Sequence, residues 1–163
     1  MFPEQYRNRA ASLIASCRTA GVTIVTAESC TGGLLAALLT AIPGSSEVFD
    51  RGFVTYSNAA KIESLGVSPK ILESFGAVSR ETALAMASGA LAQSNAAIAL
   101  SITGVAGPGG GTPQKPAGLV YFGLARKGGG ANAVEKRFGA IGRDAVRSAA
   151  IAVAIDLLLE ASR

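Results

Sequence analysis

The hydrophobic and polar positions alternate between short apolar runs and longer mixed segments, and this rhythm predicts the elements. Residues 4–20 read as a helix, with Gly21 as its C′ glycine. "VTIVTA", residues 22–27, is a β-branched apolar run and predicts a buried strand. Thr31 is placed to cap a helix from Gly32 to Ile42, which Pro43–Gly44 terminates. "GFVTYS", residues 52–57, reads as a strand. Ser68 at N-cap and Pro69 at N1 predict a short helix that ends before Gly76. Ser79 opens a longer, alanine-rich helix to about Ala92, and "AAIALSIT", residues 96–103, is another buried strand. Residues 104–116, "GVAGPGGGTPQKP", form a glycine- and proline-rich loop inside the domain, because strands flank it on both sides. "AGLVYFGLAR" and "ANAVEKRFGA" predict a hairpin across "KGGG", and a final helix runs from about Arg143 to Glu160.

Strand–helix alternation followed by a hairpin predicts an α/β domain with a mixed, mostly parallel sheet and helices on both faces. No internal repeat is visible, and 163 residues suit a single domain over 1–163. Apolar residues make up 49% of the chain, enough for a sizeable core and too many for disorder.

Charge and rare residues narrow the function. The net charge of +4 is scattered rather than clustered, so no nucleic-acid surface is expected, although a small anionic ligand is compatible with it. Neither "GGLLAALLTAIPG" nor "AAIAVAIDLLLEA" suits a bilayer span, the first being too short and the second carrying Asp156. The opening residues lack the apolar core of a signal peptide. A cytoplasmic protein without membrane partners is expected. The two cysteines, Cys17 and Cys30, have no zinc-like spacing, and no metal is expected. Histidine is absent. The commonest general base is therefore missing, and proton transfer falls to Lys, Tyr, Asp, Glu or Cys.

Open α/β sheets hold ligands outside the carboxyl ends of their strands. Three segments follow such ends: "AESCTGG", "YSNAAK" and "TGVAGPGGG". Topology thus gathers Ser29, Tyr56, Lys61 and Thr103 into one crevice. Ser29 sits on a strand-to-helix turn, where a hydroxyl is exposed and helix amides can stabilise an oxyanion. Its base would be Lys61, provided that burial or a neighbouring cation lowers the lysine pKa. Tyr56 would relay a proton or orient the substrate. The plainer alternative makes Ser29 and Thr31 simple helix caps. Cys30 is either a buried filler or a rival nucleophile. The glycine-rich loop matches neither a phosphate-binding loop nor a dinucleotide fingerprint, and a plain turn explains its pattern equally. Thr103 and Gly104 are the more specific candidates for oxyanion contacts. Arg143 and Arg147, four apart on the last helix, would hold a phosphate or carboxylate, or would merely be solvated.

Taken together, "AESCTGG", "RGFVTYSNAAK", "TGVAGPGGG", "KPAGLVYFGLA" and "FGAIGRDAVR" resemble the CinA C-terminal domain family, whose members act as nicotinamide-nucleotide amidohydrolases. The resemblance spans residues 5–160 or so. It implies a three-layer α/β/α sandwich that hydrolyses the carboxamide of nicotinamide mononucleotide (NMN) to nicotinate mononucleotide and ammonia. It implies Ser29 as nucleophile, Lys61 and Tyr56 as catalytic partners, and Thr103 with Gly104 as the threonine–glycine pair. Arg143 matches the arginine of the "GxR" motif. Glu28, Thr31 and Gly32 of the first motif, with Arg147, complete the expected substrate contacts. No cofactor is implied. A homodimer or higher homo-oligomer is expected from the high apolar fraction. Members usually carry two glycines before "VTY", where this chain has Arg51, Gly52 and Phe53. Many members also carry a domain related to molybdopterin-binding proteins; it lies outside these residues, and none of its metal-dependent chemistry is carried over. The family name does not imply a role in DNA uptake. Two other classes fit the same crevice or surface: a binding module that senses a phosphate ligand without chemistry, and an interaction domain built on the alanine-rich last helix.

Overall fold

The computed structural model describes residues 2–163. The sheet has strands β1 (Ile24–Glu28), β2 (Phe49–Val54), β3 (Ile98–Gly104), β4 (Leu119–Arg126) and β5 (Ala131–Arg137), in the order β2-β1-β3-β4-β5. β1 pairs in parallel with β2 and β3, whereas β4 pairs antiparallel with β3 and β5. β4 alone runs against the other strands, so the sheet is mostly parallel in direction although its pairings divide evenly.

Helices α1 (Glu4–Ala20), α2 (Leu34–Thr40) and α6 (Arg143–Ala161) cover one face; α3 (Asn58–Leu65), α4 (Pro69–Phe75) and α5 (Arg80–Ala92) cover the other. The result is a three-layer α/β/α sandwich. β1 and β3 are buried along both faces, and the sheet separates two apolar clusters. The larger joins Leu13, Leu35, Leu39, Phe122, Ile151 and Leu158; the smaller joins Val25, Leu65, Val67, Met86 and Ala99. The strand order grows in opposite directions from the centre, since β1 leads outward to β2 and β3 starts the other half of the sheet. The carboxyl ends of β1 and β3 therefore flank the topological switch point.

Several expected boundaries move. α3 lies outside the sequence-based expectation: "NAAKIESL" is short, yet Ser57 caps it by accepting the Ala60 N–H at 3.0 Å, and Gly66 closes it in the left-handed conformation. The second strand begins at Phe49 and ends at Val54 rather than running from Gly52 to Ser57. Its exposed Asp50 and Arg51 hide its start, because an edge strand buries little. α2 begins at Leu34, and Thr31 does not cap it; the Thr31 hydroxyl is buried without a hydrogen-bond partner. Ser79 does cap α5, accepting the Thr82 N–H at 3.1 Å. Ser68 precedes α4 as expected but makes no side-chain cap, leaving Pro69 at N1 to set the start. Among the described residues no helix is long and apolar enough to cross a membrane.

Candidate active site

Ser29 leaves β1 on a turn that the sequence builds from its neighbours. Its N–H donates to the Ile102 carbonyl on β3 at 2.9 Å, and its carbonyl accepts the Gly32 N–H at 3.0 Å. Gly32 and Gly33 have φ of +61° and +90°, a left-handed pair that side chains would strain. Glu28 secures the start of the next helix. Its carboxylate, 1% exposed, accepts the N–H groups of Gly33, Leu35 and Ala36 at 2.8–3.1 Å and so caps α2. This corrects the expectation that Glu28 contacts substrate, because its oxygens are occupied in holding the turn. Thr31, wholly buried, and Gly32 likewise lie outside the crevice wall.

Lys61 enters from the opposite layer. Thr55, Tyr56 and Ser57 lead from β2 into α3, which places Lys61 one turn along the helix with its side chain pointing inward. The side chain is fully buried, and its Nζ lies 3.0 Å from Ser29 Oγ. Nζ also donates to the Thr55 carbonyl at 2.8 Å and the Tyr56 carbonyl at 3.3 Å. Among the described residues no carboxylate pairs with it. Burial lowers the lysine pKa, with the nearby Cys30 thiol opposing the shift slightly. A neutral amine has two N–H groups and one lone pair. When the amine is neutral, the two carbonyls can take both N–H groups and the lone pair is free to accept from the serine hydroxyl; when it is charged, Nζ donates to all three oxygens.

A crevice of about 260 Å³ opens over this pair, walled by Ser29, Lys61, Tyr56, Thr103 and Gly104, with Arg143 at the start of α6. Tyr56 is 62% exposed at the mouth, and Lys61 reaches Ser29 directly. The contact of Tyr56 with the amine is through its carbonyl, so a phenol relay between the two is corrected. Thr103 is buried, and its hydroxyl donates to the Ala77 carbonyl at 2.7 Å, tying the end of β3 to the segment after α4. Gly104 must lack a side chain: a Cβ there would meet the Leu119 carbonyl at 2.7 Å. The Val105 N–H donates to Leu119 on the β4 side. N–H directions alternate along a strand, so that of Gly104 points away from β4 and toward the end of β1. The Thr31 N–H meets no acceptor among the described residues, and the Cys30 N–H meets its own thiol. Of these residues Gly104 and Cys30 line the crevice beside Ser29, where an oxyanion would form.

The structure separates the two arginines. Arg143 is exposed and lines the crevice, whereas Arg147 does not line it and instead donates to the Thr31 carbonyl at 2.9 Å. Cys30 borders the crevice, but burial pushes its thiol up to about 11, against a role as nucleophile. Sequence reasoning missed Ala77 and Val78, which form a wall, and the carbonyls of Thr55 and Tyr56, which hold the amine. These residues act through the backbone, which leaves no side-chain signal. The only hint was that Gly76 and Ser79 bracket a connection too short to stray. Among the described residues no group of His, Cys, Asp or Glu is arranged to hold a metal ion.

The chain is similar to known proteins in both fold and sequence. The model of the CinA C-terminal domain matches residues 7–162. A CinA-like protein of Kosmotoga olearia is 49% identical over 144 residues, covering 88% of this chain and 34% of the relative. The chain spans only a quarter to a third of the length of the curated relatives it matches. The crystal structure of competence/damage inducible protein CihA from Agrobacterium tumefaciens superposes with a TM-score of 0.97 at 47% identity, covering 100% of this chain and 99% of that one. A CinA superfamily protein from Klebsiella pneumoniae gives 0.91 at 34% identity, covering 96% and 97%.

Proposed function

The chain belongs to the CinA C-terminal domain family, and from that membership and the Ser29–Lys61 contact we propose that it is an amidohydrolase that deamidates NMN. The single observation that carries the reading is the buried, carboxylate-free lysine 3.0 Å from a serine at a topological switch point. A buried ammonium with no counter-charge is unfavourable for folding, and its position is useful as a base.

In the proposed reaction, neutral Lys61 takes the proton of Ser29, and Oγ attacks the carboxamide carbon. The carbonyl π electrons move to oxygen, and the oxyanion is held by the Gly104 N–H at the end of β3. Collapse breaks the C–N bond as the Lys61 ammonium returns the proton to nitrogen, and ammonia leaves. Water, deprotonated by the same amine, then attacks the nicotinoyl ester on Ser29. The C–O bond to Ser29 breaks, Oγ regains a proton, and nicotinate mononucleotide departs. Arg143, on the crevice wall, is the cation available to the substrate phosphate.

The test is incubation of the purified protein with NMN, with chromatographic detection of nicotinate mononucleotide and a separate assay for ammonia. Both products should form in equal amounts. Ser29→Ala should lower turnover by about 10⁴-fold. Absence of both products from the unaltered protein, or full turnover by Ser29→Ala, would overturn the reading.

A further inference from the structure

Arg147 does not line the crevice, yet it touches the turn that carries Ser29. Its Nη2 donates to the Thr31 carbonyl at 2.9 Å, across 116 residues of chain. The N–H of the same peptide unit, on Gly32, donates to the Ser29 carbonyl at 3.0 Å. One rigid plane is thus held at both ends, by a guanidinium on α6 and by the carbonyl of Ser29. The guanidinium lies beside Gly32: a Cβ built there would stand 3.8 Å from Nη2, an ordinary contact distance.

Arg147 is also left without the usual compensation. No carboxylate pairs with it among the described residues, and its Nε is buried without an acceptor. A half-buried, unpaired guanidinium costs stability that an apolar side chain of the same length would not. The hydrogen bond to Thr31 is the contact left to account for it.

We propose that Arg147 is a positioning residue for Ser29: by locking the Thr31–Gly32 peptide it keeps Oγ on the Lys61 amine. It does not hold the substrate phosphate. The inference rests on the reading of Ser29 as a nucleophile primed by Lys61, and its test separates the two.

Two rates are measured for the unaltered protein, Arg147→Met and Arg147→Lys: deamidation of NMN, and labelling of Ser29 by a small fluorophosphonate that has no nucleotide part. Arg147→Met should lower kcat and the labelling rate together by about 10–100-fold, because a misplaced nucleophile is slow toward any electrophile. KM for NMN should stay within about twofold. Arg147→Lys should recover part of both rates, and millimolar guanidinium ion should restore part of both to Arg147→Met. A tenfold rise in KM with unchanged labelling would make Arg147 a phosphate ligand and overturn the assignment, as would two unchanged rates. If Arg147→Met fails to fold, Arg147→Lys gives the same decision: a kcat loss with slower labelling supports positioning, and a KM rise alone overturns it. An unaltered protein that is neither labelled nor active would overturn the serine–lysine reading, and the role of Arg147 with it.

Discussion

Lys61 carries an amine into a space with no acidic partner, and the consequences are visible at the scale of one residue. Its pKa lies below 10.5 because burial disfavours the charge. The unfolded chain therefore holds a proton over a pH range in which the folded chain has released it, so folding gains as pH rises through that window. Below the window the folded protein bears the full cost of a buried charge; above 10.5 it bears none. Lys61→Met should abolish activity yet raise the melting temperature at neutral pH by about 3–6 °C, since several kcal/mol of desolvation outweigh hydrogen bonds worth about 1 kcal/mol each. Thermal melts across pH check this, and the gap between the two proteins should narrow as pH approaches 10.5. For the unaltered protein kcat/KM should rise with pH to a plateau, with its inflection below the ordinary lysine value. Cys30 gives the contrasting case. With its thiol pushed up to about 11 it is almost wholly protonated at neutral pH. Cys30→Ala should keep deamidation within a factor of about three, and iodoacetamide should leave Cys30 unmodified in the folded protein, as read by mass spectrometry. The meeting of Ser29 with Lys61 was legible in the sequence because side-chain chemistry advertises itself. The contacts of Glu28 and Arg147 were not, since a carboxylate and a guanidinium serve a helix amide or a peptide carbonyl as readily as a substrate.

At the scale of the element, the site depends on α3, a two-turn helix that sequence periodicity is too short to reveal. What fixes α3 is its packing on α5. Gly89 of α5 lies so close to the end of α3 that a Cβ would stand 1.9 Å from the Leu65 carbonyl, a backbone atom that cannot swing aside. Gly89→Ala should therefore cost about 1–3 kcal/mol and displace α3. Because Lys61 rides on that helix, turnover should fall by about tenfold or more even at temperatures where the variant is fully folded. Chemical denaturation and kcat on the same preparation check both parts; unchanged turnover would mean that the Lys61 contact is insensitive to the packing of its helix. The second strand shows why boundaries slip. "VTYS" has strand-like residues, but only Val54 belongs to β2. Thr55 and Tyr56 instead give their carbonyls to Lys61, and Ser57 caps α3. Local preference for a strand lost to a cap and a buried amine.

For the whole molecule, the sheet order places three segments far apart in sequence around one switch point, with a helical layer behind each wall. Charge acts at this scale as well. The chain carries +4 at neutral pH, and Arg143 stands exposed on the crevice wall. Attraction of an anionic nucleotide should be screened by salt, whose Debye length is about 10 Å at 0.1 M. Raising salt from roughly 0.05 to 0.5 M should raise KM for NMN by about two- to fivefold and leave kcat nearly constant. Arg143→Gln should flatten that dependence. Steady-state kinetics over a salt series check the pair of expectations.

The sequence by itself determined the alternation of strands and helices, the glycine and serine signals at most of their ends, and the absence of imidazole, which leaves proton transfer to other side chains. These are properties of neighbouring residues, encoded within a few positions of one another. The tertiary structure alone decided which polar side chains face the crevice and which face the scaffold. Ser29 and Lys61 lie 32 positions apart, and Arg147 reaches Thr31 across 116. Such contacts arise only when the parallel pairing of β1 with β2 and β3 brings their ends together. Depth of burial, which tunes the amine and silences the thiol, is likewise a property of packed layers and not of any segment read alone.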